Sequence, residues 1–119
     1  MTYRQTVGRF GEDLAKRYLL KNNYKIISQN EKISFKEVDI IARKGEKIIF
    51  VEVKTRTSNI YGEADEAFSS RKMKNLKTAL RGYVFRKKLD ERCVQIDLIA
   101  VDINKAKKTA KLKHYKDIF

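Results

Sequence analysis

The chain reads as a single α/β domain spanning residues 1–119, with a central sheet covered by helices on both faces. Three observations predict this. Two stretches, Thr6 to about Lys21 and Ser70 to about Lys88, repeat apolar residues at helical spacing. Between them, Glu37 to Arg56 forms two runs rich in β-branched residues, joined by Lys44-Gly45-Glu46-Lys47. After them, Val94 to Ile103 alternates two largely apolar sets, as a strand buried on both faces does. A chain of 119 residues buries about two-thirds of its unfolded surface, enough for one ordinary core.

In the first helix Val7, Phe10, Leu14, Tyr18 and Leu19 form the apolar stripe and Thr6 is the expected N-cap. Glu12 sits at the edge of the stripe, on the arc of Gly8, Ala15 and Leu19, where a glutamate is either favoured by the helix dipole or functional. Asn22-Asn23 closes the helix, Tyr24 to Ser28 reads as an edge strand, and Gln29 to Ser34 as a polar connection. The hairpin follows, with a two-residue Gly45-Glu46 loop of type II′. Thr55 to Ala64 reads as a loop beside the charged face of that hairpin, placed to touch a substrate or act as a lid. The second helix is capped by Ser69 or Ser70 and buries Met73, Leu76, Leu80, Tyr83 and Val84; Lys74, Lys77, Arg81 and Lys88 gather on one flank, and Lys72 on the other border, near the sheet. A short strand near Lys111 to Tyr115 ends the chain. Asp97 reads as structural or as a distant support to the site, and the lone His114 has no assigned role.

Composition narrows the function classes. With 28 Lys and Arg against 15 Asp and Glu, the formal net charge is +13, more than solubility needs, which points to a polyanionic partner. Cys93 is the only cysteine, so an intrachain disulfide and a CxxC zinc site are excluded and a reducing cytoplasm is expected. No apolar run is long enough to cross a membrane, so no membrane partner is expected. No P-loop, dinucleotide fingerprint or serine or cysteine nucleophile motif is present.

The chemistry concentrates in the hairpin. If Gly45 and Glu46 form the turn, Lys44 faces Lys47 and, further back, Asp39 faces Glu52. Alternation then puts Glu37, Asp39 and Ile41 on one face with Phe50, Glu52 and Lys54, and Val38, Ile40, Ala42, Ile49, Val51 and Val53 on the other. Like charges directly opposed in a sheet repel. On an arbitrary hairpin these charges would be a solvated face, with Glu37 and Lys54 as a surface ion pair. The apolar flanks Ile40, Ile41, Phe50, Val51 and Val53 instead predict a covered central pair, where an unpaired charge is costly. Two converging carboxylates with a lysine two residues on suit a hard divalent cation and a phosphate.

An acid followed on the next strand by Glu-x-Lys resembles the core of the PD-(D/E)xK phosphodiesterases, carried here by Asp39 and Glu52-Val53-Lys54. Over nearly its whole length the chain is similar to the bacterial YraN-like family of that superfamily, through Gly11 to Ala15, Tyr18-Leu19, Glu37 to Ala42 and Phe50 to Arg56, with Lys72, Asp97 and Phe119 in the expected places. Lys36 stands where that family has glycine, and Gln95-Ile96-Asp97 replaces an Arg-aromatic-Asp run. The resemblance implies a restriction-endonuclease-like fold, a mixed β-sheet flanked by helices on both sides. It also implies Mg²⁺ or Mn²⁺ held by Asp39, Glu52 and the Val53 carbonyl, with Lys54 as the catalytic lysine. Glu12 resembles the helix glutamate that joins the metal site in archaeal Holliday-junction resolvases. The implied activity is metal-dependent endonucleolytic cleavage of DNA, before RNA, with branched or structured DNA among the candidates. Arg56, Lys72, Lys74, Lys77 and Arg81 are the expected nucleic-acid contacts. A non-catalytic nucleic-acid-binding protein on a nuclease fold is the alternative, a small basic protein docking on an RNA assembly is a third reading, and a homodimer stays open.

Overall fold

The structure, a computed structural model, describes residues 2–57 and 70–118. The proposed lid (positions 58–64), the Ser69 cap and Phe119 lie outside the described residues. In chain order the elements are α1 (Tyr3–Lys21), β1 (Lys25–Ile33), β2 (Lys36–Lys44), β3 (Lys47–Arg56), α2 (Ser70–Lys87), a 3₁₀ turn (Glu91–Cys93), β4 (Val94–Asn104) and β5 (Thr109–Tyr115). They build the expected α/β domain.

The five strands lie in the order β1-β2-β3-β4-β5. The first three are antiparallel, β4 joins β3 in parallel and β5 returns antiparallel, so the sheet is mixed. A parallel partner needs a crossover long enough to return the chain to the same end of the sheet. Here α2 belongs to that crossover. One core joins Ala15 and Leu19 of α1 to Ile40, Ala42, Ile49, Val51 and Ile99; the other joins Leu76, Ala79, Leu80 and Tyr83 of α2 to Ile41, Phe50 and Ile96. Each fully buried side chain of this kind contributes on the order of 1.5–3 kcal/mol.

Several expectations shift. Helix α1 starts earlier than Thr6, because Thr2 and Gln5 form a capping box, with Gln5 N–H donating to the Thr2 hydroxyl and Thr2 N–H to the Gln5 side chain. Its buried face is centred on Gly11, Ala15 and Leu19, while Phe10 is half exposed. Small residues win there because α1 lies close against the sheet: a Cβ on Gly11 would fall 1.8 Å from Thr55 Oγ1. The expected polar connection Gln29 to Ser34 is mostly strand, extending β1 to Ile33, and Thr55 and Arg56 continue β3 rather than starting a loop. Lys88 leaves the basic flank, since α2 ends at Lys87 and Lys88 takes φ +55°. The 45–46 turn forms as expected: Gly45 has φ +60° while Glu46 keeps a negative φ, and Lys44 pairs with Lys47.

Candidate functional site

The regular β2–β3 pairing runs back from the turn to Ile40–Val51 and stops there. Asp39 and Glu52, the next pair in that register, meet through their side chains. Asn30, opposite Asp39 in the β1–β2 register, has φ +52°. Val38 packs with Ile33 and Ile41 on the α2 side while Ile40 packs on the α1 side, so strict alternation fails at Asp39. This corrects the expected grouping of Val38 with Ile40 and Ala42. The kink carries the Asp39 carboxylate across the end of the ladder, where Oδ2 accepts the Val53 N–H at 2.8 Å. Because the N–H and C=O of one extended residue point to the same edge of its strand, the Val53 carbonyl faces the same side as Asp39.

Glu52 is 3 % exposed. Burial drives the Asp39 carboxyl up to about 9, helped by its hydrogen bond to Glu52 and by the charge there, against the pull of the Val53 N–H. For Glu52 burial also pushes upward, but the hydrogen bond from Asp39 and the Lys36 and Lys54 ammoniums outweigh it and hold the group below the ordinary glutamate value. The pair therefore favours holding one proton between its two carboxyls, as two carboxylates sharing a site do. Lys36 Nζ lies 3.1 Å from Glu52 Oε2. No local signal in the sequence announces this lysine, because it reaches Glu52 only once the strands have paired.

Lys54, two residues beyond Glu52, is half-buried. Its ammonium is pushed down to about 8, first by burial and then by Lys72, which hydrogen-bonds to it and carries like charge; Glu52 and Asp39 oppose the shift. A neutral Lys54 amine can accept from the Lys72 ammonium and can also take a proton from a reacting group. Lys72 thus stands near the sheet, as expected.

Glu12 is not drawn into the pair. Among the described residues no three carboxylate, imidazole or thiolate side chains group closely enough to hold a metal ion together. Glu12 instead hydrogen-bonds to the Asn30 side chain; burial raises its pKa, and the charges of Glu37 and Glu52 add to that rise. Glu12 stands close enough to the pair for its charge to act on Asp39. The dipole explanation also falls, since the first turn of α1 holds no acidic residue.

The expected nucleic-acid contacts divide. Lys74 and Arg81 are exposed on α2, Lys77 is half-buried, and Arg56 follows Lys54 on the same side of β3. At i, i+3 and i+7 of α2, Lys74, Lys77 and Arg81 share one flank of the helix, apart from Arg56 on β3.

A second buried carboxylate lies elsewhere. Asp97 of β4 is fully buried, and its Oδ1 accepts from Gln95 Nε2 and the Asp117 N–H, both at 2.9 Å, while Oδ2 accepts from His114 Nε2 at 2.7 Å. With Nε2 donating, Nδ1 of a neutral ring accepts from the Tyr18 hydroxyl at 2.9 Å. Burial would raise Asp97, yet its bonds from His114, Asp117 and Gln95 lower it. This network ties α1, β4, β5 and the C-terminal segment together, settles Asp97 as structural and gives His114 its place.

A model of the uncharacterised protein family UPF0102 matches residues 11–101. The chain belongs to the UPF0102 family. A UPF0102 protein of Clostridium beijerinckii is 39% identical over 113 residues, covering 95% of this chain and 92% of the relative. Those of Clostridium botulinum and Pelotomaculum thermopropionicum are 37% and 33% identical, each covering 98% of this chain and at least 96% of the relative. The UPF0102 match takes in Glu12, Asp39, Glu52, Lys54 and Asp97 but stops before His114.

Proposed function

We propose that this protein is a metal-dependent endonuclease that hydrolyses phosphodiester bonds of DNA, before RNA, on a restriction-endonuclease-like fold. The observation that carries the reading is the pair of touching carboxylates, Asp39 and Glu52, with one shared proton beside a lysine whose pKa is lowered to about 8. Buried carboxylates that repel in the metal-free protein fit a hard divalent cation, because replacing the shared proton by Mg²⁺ or Mn²⁺ lets both ionise. Asp39, Glu52 and the Val53 carbonyl would hold the cation, with Glu12 reaching it through water. Such a cation supplies Lewis acidity, acidifying water and offsetting charge on the scissile phosphate.

The chain's own groups do the rest. Lys54 Nζ, kept partly neutral by burial and by Lys72, takes the proton of the attacking water as a P–O bond of the backbone breaks. With Glu52 held by a cation, the Lys36 ammonium, now 3.1 Å from Glu52 Oε2, would be available to phosphate. Lys72 and Arg56 line the same end of β3, with Lys74, Lys77 and Arg81 as outlying phosphate contacts. The Lys36–Glu52 ion pair favours one alternative, a non-catalytic nucleic-acid-binding protein whose carboxylates are permanently neutralised from within. Incubation with duplex, single-stranded and branched DNA and RNA, in Mg²⁺ or Mn²⁺ against EDTA, decides between them. Cleavage that needs metal and disappears in Lys54→Ala supports the nuclease, and binding without cleavage in every arm supports the alternative.

A further inference from the structure

The loop that joins β1 to β2 is as short as the one at Gly45 but chemically unlike it. Ile33 pairs with Lys36, leaving Ser34 and Phe35 as the two turn residues. A loop of this kind needs a positive φ at its first position, normally supplied by glycine. Here Ser34 adopts φ +56°. The next residue, Phe35, is 103 % exposed, whereas Phe50 in the sheet is 0 % exposed. Neither turn chemistry nor burial accounts for a phenyl ring at this tip.

Its surroundings do. Lys36, the next residue, has Nζ 3.1 Å from Glu52 Oε2, so this tip is tied to the candidate site through one lysine, with Phe35 roughly 13 Å of strand before Asp39. Between the hairpin tip and α2 lies a cleft of about 140 Å³ whose lining includes Phe35, Lys36, Asn75 and Thr78. An aromatic face, an ammonium, an amide and a hydroxyl are the groups that receive a single nucleotide: the ring stacks the base, the cation meets phosphate, and the amide and hydroxyl reach base or sugar edges. Exposed Lys32, on the same hairpin, adds positive charge. In an intact duplex both faces of a base are covered by its neighbours.

We propose that Phe35 stacks on an unpaired base of the bound strand, so that the substrate class is nucleic acid with a single-stranded or unstacked nucleotide near the cleavage point. This rests on the nuclease reading of Asp39, Glu52 and Lys54. Binding in EDTA separates it from catalysis.

Equilibrium anisotropy of the full chain, with single-stranded, gapped and intact duplex DNA of equal length, should show tighter binding wherever an unpaired base is available. Phe35→Ala should weaken binding to single-stranded and gapped DNA by roughly 5- to 150-fold, the range of one aromatic–base stack, and leave duplex binding within about twofold. Phe35→Trp should restore it. A 2-aminopurine at the gap should lose fluorescence on binding wild type but not Phe35→Ala. Equal losses on all DNAs, no loss on any, or sedimentation showing that Phe35→Ala merely splits a dimer would overturn the proposal. Metal- and Lys54-dependent cleavage with unchanged binding in Phe35→Ala removes this inference alone. Phe35-dependent stacking without cleavage by wild type removes the nuclease reading and, with it, the placement near a cleavage point.

Discussion

Asp97 and Asp39 are both aspartates drawn into the sheet, and the protein treats them in opposite ways. Asp97 is fully buried, yet its carboxylate receives three hydrogen bonds and its pKa falls. Asp39 is less buried but accepts one backbone N–H and faces a second carboxylate, and its pKa rises to about 9. Burial alone therefore does not decide the fate of a charge. What decides it is whether the fold supplies donors. A carboxylate given donors holds the structure together, and one left facing another carboxylate is driven to share a proton with it.

The sharpest way to test that contrast is the same substitution at both positions. Asp97→Asn takes acceptor capacity from a buried hydrogen-bond network and sets an amide N–H against donors, which should cost about 1–3 kcal/mol, read as a fall in the urea midpoint. Asp39→Asn keeps an acceptor for Val53 N–H and gives Glu52 a permanent donor, so in EDTA it should match wild type or exceed it by ~0.5–1 kcal/mol. If Asp39→Asn is as damaging as Asp97→Asn, the two regions are not different in kind.

A second test is of the chemistry. Lys54→Ala should reduce cleavage by about 10²–10⁴-fold, the usual range for a proton-transferring group, with the circular dichroism spectrum and metal response retained. Lys54→Arg should also be poor, since a guanidinium stays protonated. Wild-type rates in the alanine variant would leave the lowered Lys54 pKa without a catalytic meaning.

Metal should then stabilise one region and ignore the other. Mg²⁺ or Mn²⁺ at about 100 times its dissociation constant should add about 2.7 kcal/mol to wild type, seen as a raised Tm, and nothing to Asp39→Asn. Lys36→Met should bind the cation more tightly, because no ammonium competes for Glu52.

A further test is pH dependence. The folded pKa of Asp39 lies above its unfolded value, so the protonated carboxyl contributes stability that is complete below about pH 4 and is lost as pH rises toward about 9. Lys54 has the opposite shift, and its contribution is complete above about pH 10.5 and lost as pH falls through about 8. Inside the Asp39 window and below that of Lys54, from about pH 5 to 8, metal-free wild type should grow less stable as pH rises. Asp39→Asn should lose most of that slope, as melts across the range will show, and an equal slope in both would assign it to other groups.

The sequence by itself determined a good deal. The 3.6-residue recurrence in α1 and α2, the β-branched runs of the hairpin and the Gly45 turn are local, and each specified its element without help from the rest of the chain. Once the turn was placed, register followed, and register brought Asp39 to Glu52. The tertiary structure decided what no spacing records. Alternation breaks at Asp39, which sends Val38 and Ile40 to opposite cores, and the close seating of α1 depends on Gly11 meeting Thr55. Lys36 reaches Glu52 across the sheet, and His114 finds Asp97 and Tyr18 from far along the chain. Hydrogen bonding and desolvation act through space, so whether a carboxylate is satisfied or strained is settled only when distant segments supply, or fail to supply, its donors.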